Sequence, residues 1–405
     1  MLNMKRFYAL WLVVVCATVE IVACTTAVIS GRYTPDGKPM LWKVRDTESL
    51  NNKMMYIDSG RYAFIGLVNT EDTGGSQVWA GSNEVGFAIM NSASFNVNVN
   101  DSSALKDQEG FFMKKALATC ATLADFEALL QQTSKPMGLA AHFGVIDGEG
   151  GAAFYEVNNR TFTKFDANDQ QTAPCGYVLR TNFSFTGEKD KGLGYCRFQT
   201  AQDLLMQGYM TNRLSPATFL QEYSRCFKHA FLNCDYRTTF EKEANGEMPF
   251  INVSDLITRH DTSSAIVIEG VKASESKDMS TIWVQVGFPE TCVSFPLWVR
   301  AGKVLPKMLT PDKENRVPLS DWAMAWKSRC FPMKTVEQYR YLNLSLLVNA
   351  EKTGFLQRIE QLENGLFDEL STRRQAWAQR TPTVAELQEV YRFWSQRVEA
   401  FYLHP

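Results

Sequence analysis

Cys24 stands where a leader-like segment ends and a strand-like run begins, and this constrains the chain more than any other residue does. Lys5 and Arg6 form a short basic head, the run from Phe7 to Val19 is apolar, and Ala23 supplies a small residue ahead of the cysteine. The pattern matches a secretory signal over residues 1–23. Its apolar run is short for a membrane span and Glu20 weakens a span further. Cleavage between Ala23 and Cys24 would leave a mature chain that begins with a thiol nucleophile. A free α-amine of pKa about 8 would sit a few ångströms away, able to act as base toward the thiol.

Ile21-Val22-Ala23-Cys24 also fits a lipoprotein cleavage box, in which the cysteine would be lipidated and its amine acylated. A lipid anchor is normally followed by a polar, flexible tether. Here Thr25-Thr26-Ala27-Val28-Ile29-Ser30 is a β-branched run closed by the turn signal Thr34-Pro35-Asp36-Gly37. A strand that opens on the cysteine belongs in a core, so the nucleophile reading is preferred over the anchor and over an inert cysteine. No later stretch is apolar for about 18 residues or more, and the mature chain is expected to be exported, periplasmic or extracellular, and soluble.

A formal net charge of −2, with no basic block interleaved with aromatics, argues against a nucleic-acid partner. Cys120, Cys175, Cys196, Cys226, Cys234, Cys292 and Cys330 show no Cys-x-x-Cys pair and no zinc spacing. His142, His229, His260 and His404 are scattered and read as surface or satisfied buried histidines. No metal, nucleotide or flavin is indicated, so no cofactor is expected. Gly148-Glu149-Gly150-Gly151 reads as a hairpin turn and not a phosphate cradle, because no helix start follows it.

Between Cys24 and Trp298, strand-like runs and helices fall in blocks without strict alternation, which favours antiparallel sheets with helical layers, an α+β fold. Helices are predicted over 110–118, 123–132, 197–208 and 215–227. Residues 304–318, with three prolines, read as a linker. From Thr335 to Phe401 the pattern is helical, with Leu356, Ile359, Leu362, Leu366 and Leu370 on one stripe. Thr383-Val384-Ala385-Glu386 fits a capping box ahead of a second stripe of Val390, Phe393, Trp394 and Val398. The reading is thus a catalytic domain over 24–303 and a helical extension over 304–405. The extension is an appendage on the core or, alternatively, a lid or the contact of a homo-oligomer.

Polar residues close several apolar strands: Arg45-Asp46, Asn91 and Asn182, with Arg197 at the head of a helix. Each motif alone is also what a surface ion pair or a strand-end turn looks like. Taken in order, Cys24-Thr25-Thr26, the Asp36-Gly37 turn, Trp42-x-x-Arg45-Asp46, Asn91-Ser92-Ala93, Thr181-Asn182 and Arg197-Phe198 resemble the N-terminal nucleophile cysteine hydrolases. The nearest branch is the acyl-coenzyme A:6-aminopenicillanate acyltransferase family, with choloylglycine hydrolases and penicillin V acylases as relatives. The resemblance covers about residues 24 to 300 and not the helical tail. It implies a four-layer αββα sandwich and hydrolysis of a linear amide through Cys24 and an acyl-thioester. It also implies that the Asn182 side chain and the Asn91 backbone N–H form the oxyanion hole. Arg45 and Asp46 would hold the thiolate and the α-amine, and Arg197 would pair with a site carboxylate or order the Asn182 loop. In the relatives the acidic residue follows the arginine by three positions, which makes Glu48 a rival to Asp46. Aromatics at Phe95, Phe111-Phe112 and Phe183–Phe185 suggest an apolar acyl pocket for a small-molecule amide. Acyl transfer to an amine, a dipeptidase of the same class, and a non-catalytic lipid-anchored protein are the alternatives.

Overall fold

The computed structural model describes residues 23–244, 247, 249–335 and 338–404, so the signal segment expected over 1–23 lies outside the described residues apart from Ala23. Two antiparallel sheets dominate. The first has six strands in the order β10 (Tyr177–Arg180), β1 (Cys24–Ile29), β2 (Met40–Asp46), β14 (Thr262–Glu269), β15 (Thr281–Gln285) and β16 (Phe295–Leu297). The second has seven strands in chain order: β3 (Asn52–Ile57), β4 (Phe64–Asn69), β5 (Ala80–Asn83), β6 (Ala88–Ala93), β7 (Ala141–Ile146), β8 (Ala152–Val157) and β9 (Phe162–Asp166). Two short pairs complete the strands, β11 (Lys228–His229) with β12 (Cys234–Asp235) and β13 (Phe250–Asn252) with β17 (Tyr341–Asn343).

Turn chemistry explains why the second sheet is a meander of sequence neighbours. Asp147 Oδ1 accepts the N–H groups of Glu149 and Gly151, and Gly150 takes the positive φ (90°) that closes the β7–β8 hairpin. β1 and β2 are buried at every position, because both faces of the first sheet are covered. One face packs on β6 and β7 of the second sheet. The approach is close enough that a Cβ on Gly144 would meet Val28 Cγ2 at 2.9 Å and the end of Met90 at 2.7 Å. The other face carries α3 (Tyr195–Met210) and the turns after it, where Trp42 lies against Phe219 and Tyr223. On the far side of the second sheet, α1 (Glu109–Thr119) and α2 (Leu123–Gln132) bury Phe112, Met113, Leu117, Phe126 and Leu130 against Phe64, Phe87, Phe143 and Tyr155. The hydrophobic surface these side chains remove from water drives that packing.

The helix predicted over 215–227 is a single α turn, α4 (Pro216–Thr218), running into a π turn over Phe219–Tyr223 closed by Ser224 N–H on the Phe219 carbonyl. After α5 (Tyr236–Phe240) the chain returns to the sheet. The segment predicted as a linker packs closely, with Leu305, Met308, Leu309 and Val317 buried. The helical reading from Thr335 holds only from residue 355, because 341–343 pairs with β13. The helices there are α7 (Phe355–Trp377) and α8 (Val384–Leu403), and α6 (Pro318–Cys330) precedes them. The capping box at Thr383 is formed, with Thr383 N–H on Glu386 Oε2 at 2.8 Å and Glu386 N–H on Thr383 Oγ1 at 3.3 Å.

The apolar stripes of α7 and α8 face the first sheet. Trp283 packs on Phe367 and Trp394, and Phe295 on Tyr391 and Trp394, in one continuous core with β1 and β2. A bidentate ion pair fixes the seam: Arg225 Nη1 and Nη2 donate to Glu363 of α7 at 2.7 and 2.8 Å, both side chains fully buried. Arg225 Nε also donates to Pro289 O, and Ser294 N–H to Glu363 Oε1. Burial works against the Arg225 charge, but the Glu363 carboxylate outweighs it and raises the guanidinium pKa. Removing one partner strands the other charge in the core. Glu363→Ala should therefore cost about 3–5 kcal/mol of stability, read as a lowered Tm by calorimetry. A Tm indistinguishable from wild type would show that the seam does not depend on this pair.

Candidate active site

Cys24 opens β1 directly across from Arg45 of β2. Side chains alternate along a strand and paired residues share a face. Cys24, Thr26, Lys43 and Arg45 therefore point between the sheets, while Thr25 and Asp46 point to the opposite face. The contacts follow this division. Thr26 Oγ1 donates to Ser92 Oγ on β6 at 3.2 Å. Lys43 Nζ donates to Asn91 Oδ1 at 2.7 Å and to the Trp79 carbonyl at 2.9 Å. Arg45 reaches Asn52 Oδ1 at 2.7 Å and Asn69 Oδ1 at 2.8 Å, with its guanidinium 4.9 Å from the centre of the Trp79 ring. On the other face, Arg197 Nη1 donates to Thr25 Oγ1 at 3.0 Å and to the Cys24 carbonyl at 2.6 Å.

Asn182, just past the end of β10, joins these groups. Its Oδ1 accepts the Cys24 backbone N–H at 3.1 Å and Arg197 Nη2 at 2.7 Å, and its Nδ2 donates to the Ala93 carbonyl at 2.9 Å. These partners fix the orientation of the amide, and its second N–H hydrogen is left over from them. Gly194 makes the arrangement possible: it takes φ 85° at the head of α3, and a Cβ there would lie 2.5 Å from Arg197 Nη2. Of the two options for Arg197, the contact found is with the Asn182 side chain.

Asp46 is held at both oxygens. Arg259 Nη2 donates to Oδ2 at 2.6 Å and Nε to the same oxygen at 3.2 Å; Thr262 Oγ1 donates to Oδ1 at 2.5 Å. The Asp46 backbone N–H meets the Ala23 carbonyl at 2.7 Å. Glu48, beyond the end of β2, is exposed. Ala23 and Cys24 are 0% and 3% exposed.

The electrostatics gather positive charge around the thiol. Burial pushes Lys43 down to about 8 and Arg45 down to about 10, each opposed by the nearby Cys24 sulfur, and burial likewise pushes Arg197 down to about 10. Behind the site, His142 is a satisfied buried histidine: Nδ1 lies 2.8 Å from Ser92 Oγ and Nε2 2.8 Å from Ser184 Oγ. Burial pushes it down to about 3, so the neutral ring ties the residue after Asn91 to the loop after Asn182.

The structure thus gathers Cys24, Arg45, Asp46, Asn91, Asn182 and Arg197 at one end of the two sheets. Lys43, Asn52, Asn69, Thr262 and Arg259 join them without having been singled out. Lys43 was discoverable, being a lysine in an apolar strand two places before Arg45 and so on its face. Arg259 was not, because 213 residues separate it from Asp46. Phe95 and Phe183 flank Asn182; Phe95 N–H bonds the Asn182 carbonyl and Phe183 stacks on Tyr195. Phe112 does not belong here; it is core on the far side of the second sheet. All eight described cysteines are free thiols, and no cluster of three or more His, Cys, Asp or Glu among the described residues could hold a metal.

No protein-family model matches the chain, and no curated protein matches it. Among solved structures it is similar to a Caenorhabditis elegans N-acylethanolamine-hydrolyzing acid amidase ortholog (14% identity, TM-score 0.42, covering 64% of this chain and 99% of that one). It is also similar to a mutant of conjugated bile acid hydrolase from Clostridium perfringens (13%, 0.39, 69% and 93%) and to penicillin V acylase from Agrobacterium tumefaciens (13%, 0.35, 68% and 86%).

Asp46 is anchored at both oxygens, whereas Glu48 is exposed to solvent. Asp46→Asn replaces the Arg259 partner with a neutral amide, whereas Glu48→Gln changes a solvated group. Asp46→Asn should lower kcat/KM at least about tenfold more than Glu48→Gln, measured on the best amide substrate of a panel. The reverse order would move the role to Glu48.

Proposed function

We propose that this protein is an exported amide hydrolase of four-layer αββα architecture that works through Cys24 as an N-terminal nucleophile. The observation that carries the reading is the position of the Cys24 nitrogen, held by Asn182 Oδ1 while Arg197 braces the same oxygen and the Cys24 carbonyl. While Ala23 is attached, that nitrogen is an amide and no base. Once the bond is cut it becomes an amine held in the same place, next to its own thiol.

The thiol proton passes to the α-amine as Sγ attacks the amide carbonyl. The oxyanion is met by the spare Asn182 Nδ2 hydrogen and by the Asn91 backbone N–H. Collapse breaks the C–N bond, and the α-ammonium returns the proton to the leaving amine. Water then hydrolyses the thioester; an amine taking water's place would make the same site an acyltransferase. Arg45 and Lys43 offset the thiolate charge, and Asp46 orients the amine from the opposite face. Phe95 and Phe183, beside Asn182, suit an apolar acyl group. Cys24 is buried and hydrogen-bonded through its nitrogen and carbonyl, which supports a nucleophile over a lipid attachment point.

Cys24→Ala should abolish amide turnover with circular dichroism unchanged, and a chain with one uncleavable residue left before Cys24 should be equally silent. Normal turnover in either protein defeats the assignment. Asn182→Ala removes the side-chain donor and the anchor of the nitrogen together, so kcat should drop by about 10²–10³. A folded, nearly fully active Asn182→Ala protein would reduce Asn182 to a turn residue.

A further inference from the structure

Outside the groups already assigned, a buried cation reaches toward the site from the C-terminal helices. Lys327 lies on α6, is 3% exposed, and donates from Nζ to the Thr262 carbonyl at 3.0 Å. Thr262 is the residue whose hydroxyl holds Asp46 Oδ1. The same hydroxyl accepts the Arg259 N–H at 2.8 Å, and Thr262 N–H returns to the Arg259 carbonyl at 3.0 Å. Residues 259–262 thus form one small turn that carries both groups gripping the Asp46 carboxylate.

Two groups hold that turn from outside, the Thr47 N–H on the Asp261 carbonyl and Lys327 on the Thr262 carbonyl. The register of β14 against β2 shifts between Thr262 and Ser264, so the regular ladder is interrupted beside Asp46. Lys327 acts at that interruption. Its own helix is firmly seated: Thr291 Oγ1 donates to the Ala323 carbonyl at 2.8 Å, and Trp326 stacks on Phe355 at 4.3 Å between ring centres. The ammonium passes 5.1 Å from the centre of the Phe288 ring. Asp261 and Asp46 face it as carboxylates, Glu290 as a carboxyl that burial pushes up to about 8, and Lys334 as a second cation. A buried ammonium is costly, and an apolar residue of similar shape would pack here without that cost.

We propose that Lys327 is a positioning residue of the active site, fixing the Asp46 carboxylate through the carbonyl and hydroxyl of Thr262. The C-terminal helical segment is then a structural part of the catalytic centre. The proposal rests on the reading of Cys24 as the nucleophile, and the same assay separates the two.

The test is a double-mutant cycle in the full-length, processed protein, on the best amide substrate found for wild type. Lys327→Met keeps the shape and removes the donor. It should lower kcat by about 10–10²-fold with KM within about twofold. In a Thr262→Val background, which breaks the link to Asp46 but leaves the fold, Lys327→Met should lower kcat less than about twofold further. A merely structural lysine would carry the same penalty in both backgrounds, and that result, or full activity of Lys327→Met, overturns the proposal. Lys327→Arg, which keeps a cationic donor, should recover most of the activity. Should Lys327→Met fail to fold, Lys327→Gln goes through the same cycle with the same expected outcome. Wild-type protein without Cys24-dependent turnover would overturn the functional reading, and the role of Lys327 with it.

Discussion

The site depends on one shared oxygen. Asn182 Oδ1 accepts the Cys24 N–H and the Arg197 guanidinium together, while the other end of the same amide is tied to Ala93 of β6. A charged donor on that oxygen makes the network stronger than neutral pairs would, and the low dielectric of a buried site strengthens it further. Through this amide the first residue of β1, the loop after β10, the head of α3 and the end of β6 become one unit. The sheets cannot shift against each other without breaking this link and the Thr26–Ser92 and Lys43–Asn91 bonds beside it.

The second fixed point is Asp46, gripped by Arg259 and Thr262 on the face away from the thiol. Arg197 and the Asp46 clamp share one face of β1 and β2, while Asn182 reaches Ala93 of the second sheet, so Cys24 is held from both directions. The cations on the inner face, Lys43 and Arg45, are committed to asparagines and to Trp79.

Much of this was readable from the sequence, for a physical reason. Cys24, Arg45, Asp46, Asn91 and Asn182 are polar residues at the ends of apolar strands, and such residues gather at one edge wherever the strands lie side by side. The Asp147–Gly151 hairpin and the Thr383 capping box are local chemistry, carried by residues within four positions of one another. What could not be read depends on distant pairing. Tyr341–Asn343 is a strand only because Phe250–Asn252 lies beside it. The π turn at Phe219–Tyr223 interrupts a pattern that reads as an ordinary helix. Arg259 and Lys327 carry no local signal at all; their meaning comes from Asp46 and Thr262, far away along the chain.

The burial of Ala23 and Cys24 sets an order of events. Once β1 is paired on both sides and the Asp46 N–H has closed on the Ala23 carbonyl, the bond between Ala23 and Cys24 is inside the protein. No second protein can reach it there without pulling the strand out. A cut at that bond therefore belongs to a moment before the strand docks, or to groups of the folded chain itself. For any cut at that bond, the burial that holds Cys24 in place makes timing decisive.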